Sequence, residues 1–214
     1  MKKSETRGRS EVRRLRRLTS PGAHGLLISK PSGLHLFRSQ MTMSTDNGAQ
    51  DWALPIATPD GEFVAHYSRQ GLCGLDFPSL GKRPKPRTAA VPLPRGIRRW
   101  HAITTNALAH ALQGQAPGIL PPLDCSSGTE FQRKVWQALR KIRPGQTRSY
   151  AEVAQRVGNP KAVRAVGGAC GANPIPVFVP CHRVLAANRA LGGFSGGLDW
   201  KRALLKREGV RLLG

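Results

Sequence analysis

The chain has 214 residues, room for one large domain or two small ones, and a formal net charge of +22. Such a surplus points to a polyanionic partner held by counterion release from a phosphate backbone. No apolar run approaches the roughly 20 residues of a membrane span. The four cysteines (Cys73, Cys125, Cys170, Cys181) lie far apart with no C-x-x-C pair, which argues against a zinc cage and a secreted disulfide framework and for a reducing cytoplasm.

The charge is unevenly spread. Residues 1–42 carry 10 Lys/Arg against 2 Asp/Glu, residues 43–120 carry 8 against 5, and residues 121–214 carry 16 against 5. Residues 1–50 show no sustained period of 2 or 3.6 and are expected to be a disordered basic extension. That extension reads equally as a DNA-contacting arm or as a leader ahead of a true start at Met41 or Met43.

From Trp52 the pattern is β. Leu54–Ala57 and Glu62–Tyr67 flank the turn residues Thr58-Pro59-Asp60-Gly61, and Leu72–Phe77 follows as a third short strand. Lys82–Pro94, rich in Pro and Arg, is expected to be a loop. Ile97–Leu112 places Trp100, Ile103, Ala107, Leu108 and Leu112 on one face of a helix. Residues 51–120 therefore read as a small mixed α/β domain around a β-ribbon. Residues 121–214 read as a second, α-rich domain, entered through a connection with a short extended piece at Leu120–Asp124.

Thr129-Glu130-Phe131-Gln132 is a capping box, and Phe131, Val135, Leu139 and Ile142 continue it at helical spacing until Pro144-Gly145. A second box, Ser149-Tyr150-Ala151-Glu152, starts a short helix through Val157. Gly158-Asn159-Pro160 breaks it, and a further helix runs from Lys161 to about Ala172. Helix, tight turn, helix on a basic domain is a DNA-binding shape, similar to a winged helix. The last of these helices is almost bare: Ala162, Ala165, Gly167, Gly168, Ala169, Gly171 and Ala172 surround one large side chain, Arg164. Each interior Gly costs about 1 kcal/mol against Ala, so tight packing or close approach to a partner should compensate.

The apolar run Ile175–Val179 reads as a buried strand ending at Pro180-Cys181-His182-Arg183-Val184. A thiol beside an imidazole suits nucleophilic chemistry, because the thiolate is the reactive species and a neighbouring base generates it. In an extended segment consecutive side chains face opposite ways, so His182 reaches Cys181 only if the chain turns or a water relays the proton. Glu208 is a local oddity, since the macrodipole disfavours a carboxylate at a helix C-terminus.

Read together, Gly128-Thr129, Phe131-Gln132, Val135-Trp136, Ser149-Tyr150, Asn159-Pro160-Lys161-Ala162, Arg164-Ala165-Val166-Gly167, Asn173-Pro174, Pro180–Val184 and Ser195-Gly196-Gly197-Leu198 closely resemble the O6-alkylguanine-DNA alkyltransferases. The resemblance covers roughly residues 52–214 and is dense over 128–209; before Trp52 nothing matches. It implies a single-turnover, self-inactivating repair reaction in which Cys181 accepts the alkyl group from O6-alkylguanine in duplex DNA, with O4-alkylthymine as a further substrate class. It implies a water relay to His182, held by Glu208, and a backbone-positioning role for Asn173. Tyr150 would donate to the guanine ring, Ser195 would bind the lesion oxygen, and the carbonyls of Cys181 and Val184 would read the exocyclic amine. Pro176 and Phe194 would wall the alkyl group, and Arg164 would enter the stack in place of the extruded base. Phe194 departs from the Tyr common in the family and lacks its hydroxyl. Ser68 and Cys73 do not complete the zinc site of some relatives, so neither metal nor cofactor is expected; the partner is double-stranded DNA containing alkylated bases, with no membrane, and the chain is expected to be a monomer. The alternatives are a non-catalytic binder of alkylated DNA, a helix-turn-helix regulator and a thiol hydrolase. The first lacks the motif's cysteine, the second needs base-reaching side chains that the bare helix does not offer, and the third needs multiple turnovers.

Overall fold

Three antiparallel strands open the described part of the chain: β1 (Trp52–Thr58), β2 (Gly61–Tyr67) and β3 (Leu72–Asp76), in the order β1-β2-β3. The computed structural model describes residues 52–78 and 93–212; the expectations for residues 1–50 and 82–92 lie outside them. The described residues belong to one compact unit, Thr45–Gly214.

The β1-β2 register runs from Trp52 opposite Tyr67 to Thr58 opposite Gly61. The Thr58 hydroxyl donates to the Gly61 carbonyl at 2.7 Å, and Gly61 takes a φ of +116° that a side chain would strain. Leu54, Ile56, Phe63, Ala65 and Tyr67 turn one face into the core. Helix α1 (Arg95–Leu112) packs on it, burying Ile97, Ala107, Leu108, Ala111 and Leu112. The buried stripe is rotated from the expected one: Trp100 and Ile103 are half-buried, while Thr104 is fully buried with its hydroxyl donated to the Trp100 carbonyl at 2.8 Å. The extended piece at Leu120–Asp124 lies along β3 through Leu72 N–H to Pro122 O and Asp124 N–H to Leu72 O, both 2.8 Å.

Both capping boxes form. Thr129 and Gln132 satisfy each other's backbone N–H groups at the start of α2 (Glu130–Leu139), and Ser149 and Glu152 do so at the start of α3 (Tyr150–Arg156). A two-residue strand, β4 (Arg148–Ser149), precedes α3. After a turn at Gly158–Ala162 comes α4 (Val163–Gly171), shorter at both ends than expected. Helices α2, α3 and α4 pack on one another. Trp136 is the keystone: it is 2% exposed and donates its indole N–H to the Ala169 carbonyl at 2.8 Å. A Cβ at Gly128 would lie 2.3 Å from its ring, which explains the glycine ahead of the first capping box.

The run Ile175–Val179 is buried but is not a strand. Pro174, Pro176 and Pro180 have no N–H to give a ladder, and Val177 sits at φ +75°, a left-handed conformation that costs a β-branched residue on the order of 1–3 kcal/mol. The run coils, with Val179 N–H bonded to Ile175 O at 2.9 Å. The chain then makes one 3-10 turn, Cys181–Arg183, before β5 (Val184–Leu185) pairs parallel with β4. Helix α5 (Leu198–Arg207) closes the fold. One continuous apolar core spans sheet and helices and includes Cys170 and Cys181.

Candidate active site

Cys181 is 3% exposed and sits where the coiled segment becomes the 3-10 turn. Asn173 holds it. Its side-chain amide donates to the Val179 carbonyl at 2.7 Å and to Cys181 Sγ at 3.0 Å, and its Oδ1 accepts from Ile175 N–H at 3.1 Å. One side chain therefore fixes both the strained segment and the sulfur. Burial pushes the Cys181 thiol up; the Asn173 amide, the Lys201 charge and nearby backbone N–H groups oppose it without reversing it. The resting sulfur is a thiol.

His182 follows Cys181 in the same 3-10 turn. It is 1% exposed, and its Nε2 lies 2.9 Å from Glu208 Oε1. Arg183, 6% exposed, grips the same carboxylate through Nε at 3.1 Å to both oxygens and NH2 at 2.8 Å, and its NH1 donates to Ile142 O at 2.6 Å. Gly145 N–H adds a bond at 3.3 Å. Burial works against ionisation of Glu208, but the hydrogen bonds from His182 and Arg183 outweigh it and bring its pKa down to about 2. An ionised carboxylate can only accept, so His182 Nε2 carries the proton. Nδ1 then holds the lone pair, and it is the buried side-chain polar atom that no other group satisfies among the described residues. Burial also holds His182 below its ordinary value of 6.5, against the pull of Glu208. The imidazole is neutral at pH 7 and has a proton-accepting nitrogen to spare.

Lys201 lies under the same site, fully buried, with Nζ donating to Val184 O at 2.7 Å and Gly193 O at 3.2 Å. It makes no ion pair among the described residues; burial lowers its pKa, while Cys181 and Cys170 favour its charge. Sequence reasoning missed it, though Lys201, Leu204 and Leu205 share the buried stripe of α5, and a lysine at a core position is a signal. Arg183 was missed too; its signal is a base embedded in the run Ile175–Leu185.

The remaining expected residues fall in two groups. Val184 and Pro176 are buried, and the Phe194 ring stands edge-on to His182 at 6.3 Å. Tyr150 opens α3 half-buried, its pKa raised by burial and then by Cys170 and Cys181. A Cβ at Gly192 would come within 2.8 Å of its hydroxyl, so the 191–197 loop passes directly against it. Arg164 and Ser195 are exposed and stand apart from this network. Among the described residues no group of three His, Cys, Asp or Glu could hold a metal ion.

An amide-clamped cysteine, preceded by a strained segment and followed by an imidazole–carboxylate–guanidinium network, lies in one compact unit with a helix-turn-helix. The family model described as the DNA-binding domain of 6-O-methylguanine DNA methyltransferase matches residues 130–210. The methylated-DNA--protein-cysteine methyltransferase of Salmonella typhimurium is 45% identical over 122 residues, 55% of this chain and 71% of the relative. That of Haemophilus influenzae is 57% identical over 83 residues, 39% of this chain and 46% of the relative. Against that relative and one from Methanosarcina acetivorans the chain spans about half of their length. The crystal structure of Mycobacterium tuberculosis OGT in complex with DNA superposes with a TM-score of 0.59 and 38% identity, covering 72% of this chain and 90% of that one. The chain belongs to the O6-methylguanine-DNA methyltransferase family.

Proposed function

We propose that this protein repairs duplex DNA by taking the alkyl group of O6-alkylguanine onto Cys181, once per molecule. The carrying observation is a clamped Sγ followed directly in the chain by a neutral His182 whose acceptor nitrogen has no partner among the described residues. The thiol proton passes to His182 Nδ1 through a bridging water, and Glu208 and Arg183 hold the ring so that Nε2–H stays fixed. Sγ gives its electron pair to the alkyl carbon as the bond from that carbon to O6 breaks. The purine gains one proton for the one the thiol lost. Tyr150, kept neutral by its raised pKa, is a hydroxyl donor toward the leaving base. Lys201 holds the Val184 carbonyl that reads the exocyclic amine and favours the negative charge developing on sulfur. The product is a thioether, which water does not hydrolyse, so the protein is consumed.

Helix α4 is the surface for the duplex. Its buried side (Val166, Ala169, Cys170) packs on the protein, whereas Gly168 and Gly171 are exposed, and a Cβ added to either would meet nothing within 4 Å beyond its own helix. Internal packing does not require those glycines; close approach of a DNA groove does. Arg164, exposed on this helix, fills the stack left by the extruded base. The division into residues 51–120 as scaffold and 121–214 as DNA-binding and acceptor domain belongs to the same reading. Among the described residues no helix is long and apolar enough to cross a membrane, and the cytoplasm is the compartment we assign.

Intact-protein mass after incubation with a duplex containing O6-methylguanine should show one added methyl per molecule, mapped to Cys181 by peptide analysis. Cys181→Ala should bind the duplex and transfer nothing. A label on Cys170 or Cys125, or several turnovers per molecule, would refute the reading.

A further inference from the structure

The loop 191–197 brings Phe194 to the His182 ring, yet Gly192, Gly193, Gly196 and Gly197 give it little of its own to hold it in place. Lys201 ties down the Gly193 carbonyl. The other anchor comes from far away in the chain. Phe77, just past the end of β3, packs edge-on against the Phe194 ring at 5.5 Å and 74°. Its other faces rest on Phe63 at 5.4 Å and Trp200 at 5.0 Å. A Cβ on Gly196 would lie 2.6 Å from Phe77 Cδ2 and Cε2, so the loop backbone lies directly on this ring. Phe194 in turn stands edge-on to His182. An unbroken aromatic chain thus runs from the core of the β-sheet to the imidazole beside the nucleophile.

The geometry points to Phe77 as a positioning residue for substrate selection: by backing Phe194, it sets the size of the alkyl group that fits over Cys181. A methyl group fits with Phe194 pressed forward. A larger group needs Phe194 to retreat, and Phe77, braced by Phe63 and Trp200, occupies the space behind it. Aromatic edge contacts of this kind are directional and hold a ring in place more firmly than an aliphatic neighbour does. The absence of a hydroxyl on Phe194 fits this packing, since a ring edge set among Phe77 and His182 has no donor to satisfy. The inference rests on the alkyl-transfer reading.

The test uses the full chain, with duplexes carrying either O6-methylguanine or O6-benzylguanine in excess over protein. Because each molecule reacts once, the reaction amplitude counts folded active protein, whereas the rate constant reports the pocket. The parent chain must first transfer from the methyl duplex; if it transfers from neither duplex, the alkyl-transfer reading itself fails and this inference falls with it. Given transfer by the parent, Phe77→Leu should raise the benzyl-to-methyl rate ratio by roughly three- to tenfold, the rate equivalent of one aromatic contact. Gly196→Ala puts a methyl group against the Phe77 ring and 3.0 Å from Phe194 Cε1, which presses Phe194 forward, so it should lower the ratio, and this opposite sign decides the matter if Phe77→Leu does not fold. A purely structural Phe77 would lower amplitude alone, so an unchanged or lowered ratio in Phe77→Leu, or an unchanged or raised one in Gly196→Ala, overturns the proposal whatever the amplitude.

Discussion

The ion network beneath Cys181 and the outer face of α4 follow opposite rules. In the network every charge is buried and held by several partners: Glu208 alone accepts from His182, Arg183 and Gly145. On α4 the side chains are stripped back, leaving exposed glycines and one long arginine with no hydrogen bond or ion pair among the described residues. In the proposed reaction the network is preorganised by the protein itself, which removes reorganisation from the reaction step. In the same proposal the outer face of α4 is left bare because its missing contacts belong to DNA.

The contrast predicts effects that differ in kind. Glu208→Gln should be the most damaging change, leaving Arg183 buried without its carboxylate at a cost of about 3–5 kcal/mol. It should also release His182 from its tautomer and slow transfer by about a hundredfold or more. Denaturant unfolding together with single-turnover kinetics checks both; retention of stability and rate would break the contrast.

Acid should expose the same network. Glu208, depressed to about 2 from an ordinary 4.5, contributes stability that is complete above 4.5 and is lost as pH falls from there toward 2. That contribution is on the order of 2–4 kcal/mol. His182, held below 6.5, binds a proton more readily in the unfolded chain, so its contribution begins to fade as pH drops below 6.5. Unfolding free energy against pH should therefore decline below 6.5 and more steeply below 4.5, and Glu208→Gln should flatten the lower segment. The transfer rate should fall on the acid side with its inflection below 6.5.

On the α4 face the effects should be smaller and depend on the partner. Arg164→Ala should slow repair of duplex DNA by roughly ten- to hundredfold, on the order of 1–3 kcal/mol of stack refilling, while sparing a free alkylated guanine base. Equal losses on both substrates at saturation would rule out extrusion. Gly168→Ala should raise stability by roughly 0.5–1 kcal/mol, as Gly-to-Ala does within a helix, yet weaken duplex binding. A thermal melt and a binding titration separate the two signs. Asp60→Asn should do least, because the Arg207–Asp60 pair, at 2.6 Å and 2.9 Å, is about a third exposed on each side, and such pairs contribute about 0–1 kcal/mol.

Local rules were enough for much of this molecule. Both capping boxes, the Thr58–Gly61 turn, the helix-turn-helix pattern and the Cys181-His182 pair were legible because each is a short-range matter of backbone groups needing nearby partners. Glu208 was suspect because a carboxylate at a helix end is locally unfavourable; the structure shows the distant guanidinium and imidazole that offset it. Before Cys181, hydrophobicity alone suggests a strand, whereas Pro174, Pro176 and Pro180 rule it out. Other features had no local signature. Lys201 beneath Val184, Arg183 on Ile142 and Phe77 behind Phe194 join residues remote in the chain, and only the packed core decides which of them meet. Periodicity marks which side chains go inside, but it does not identify their partners there.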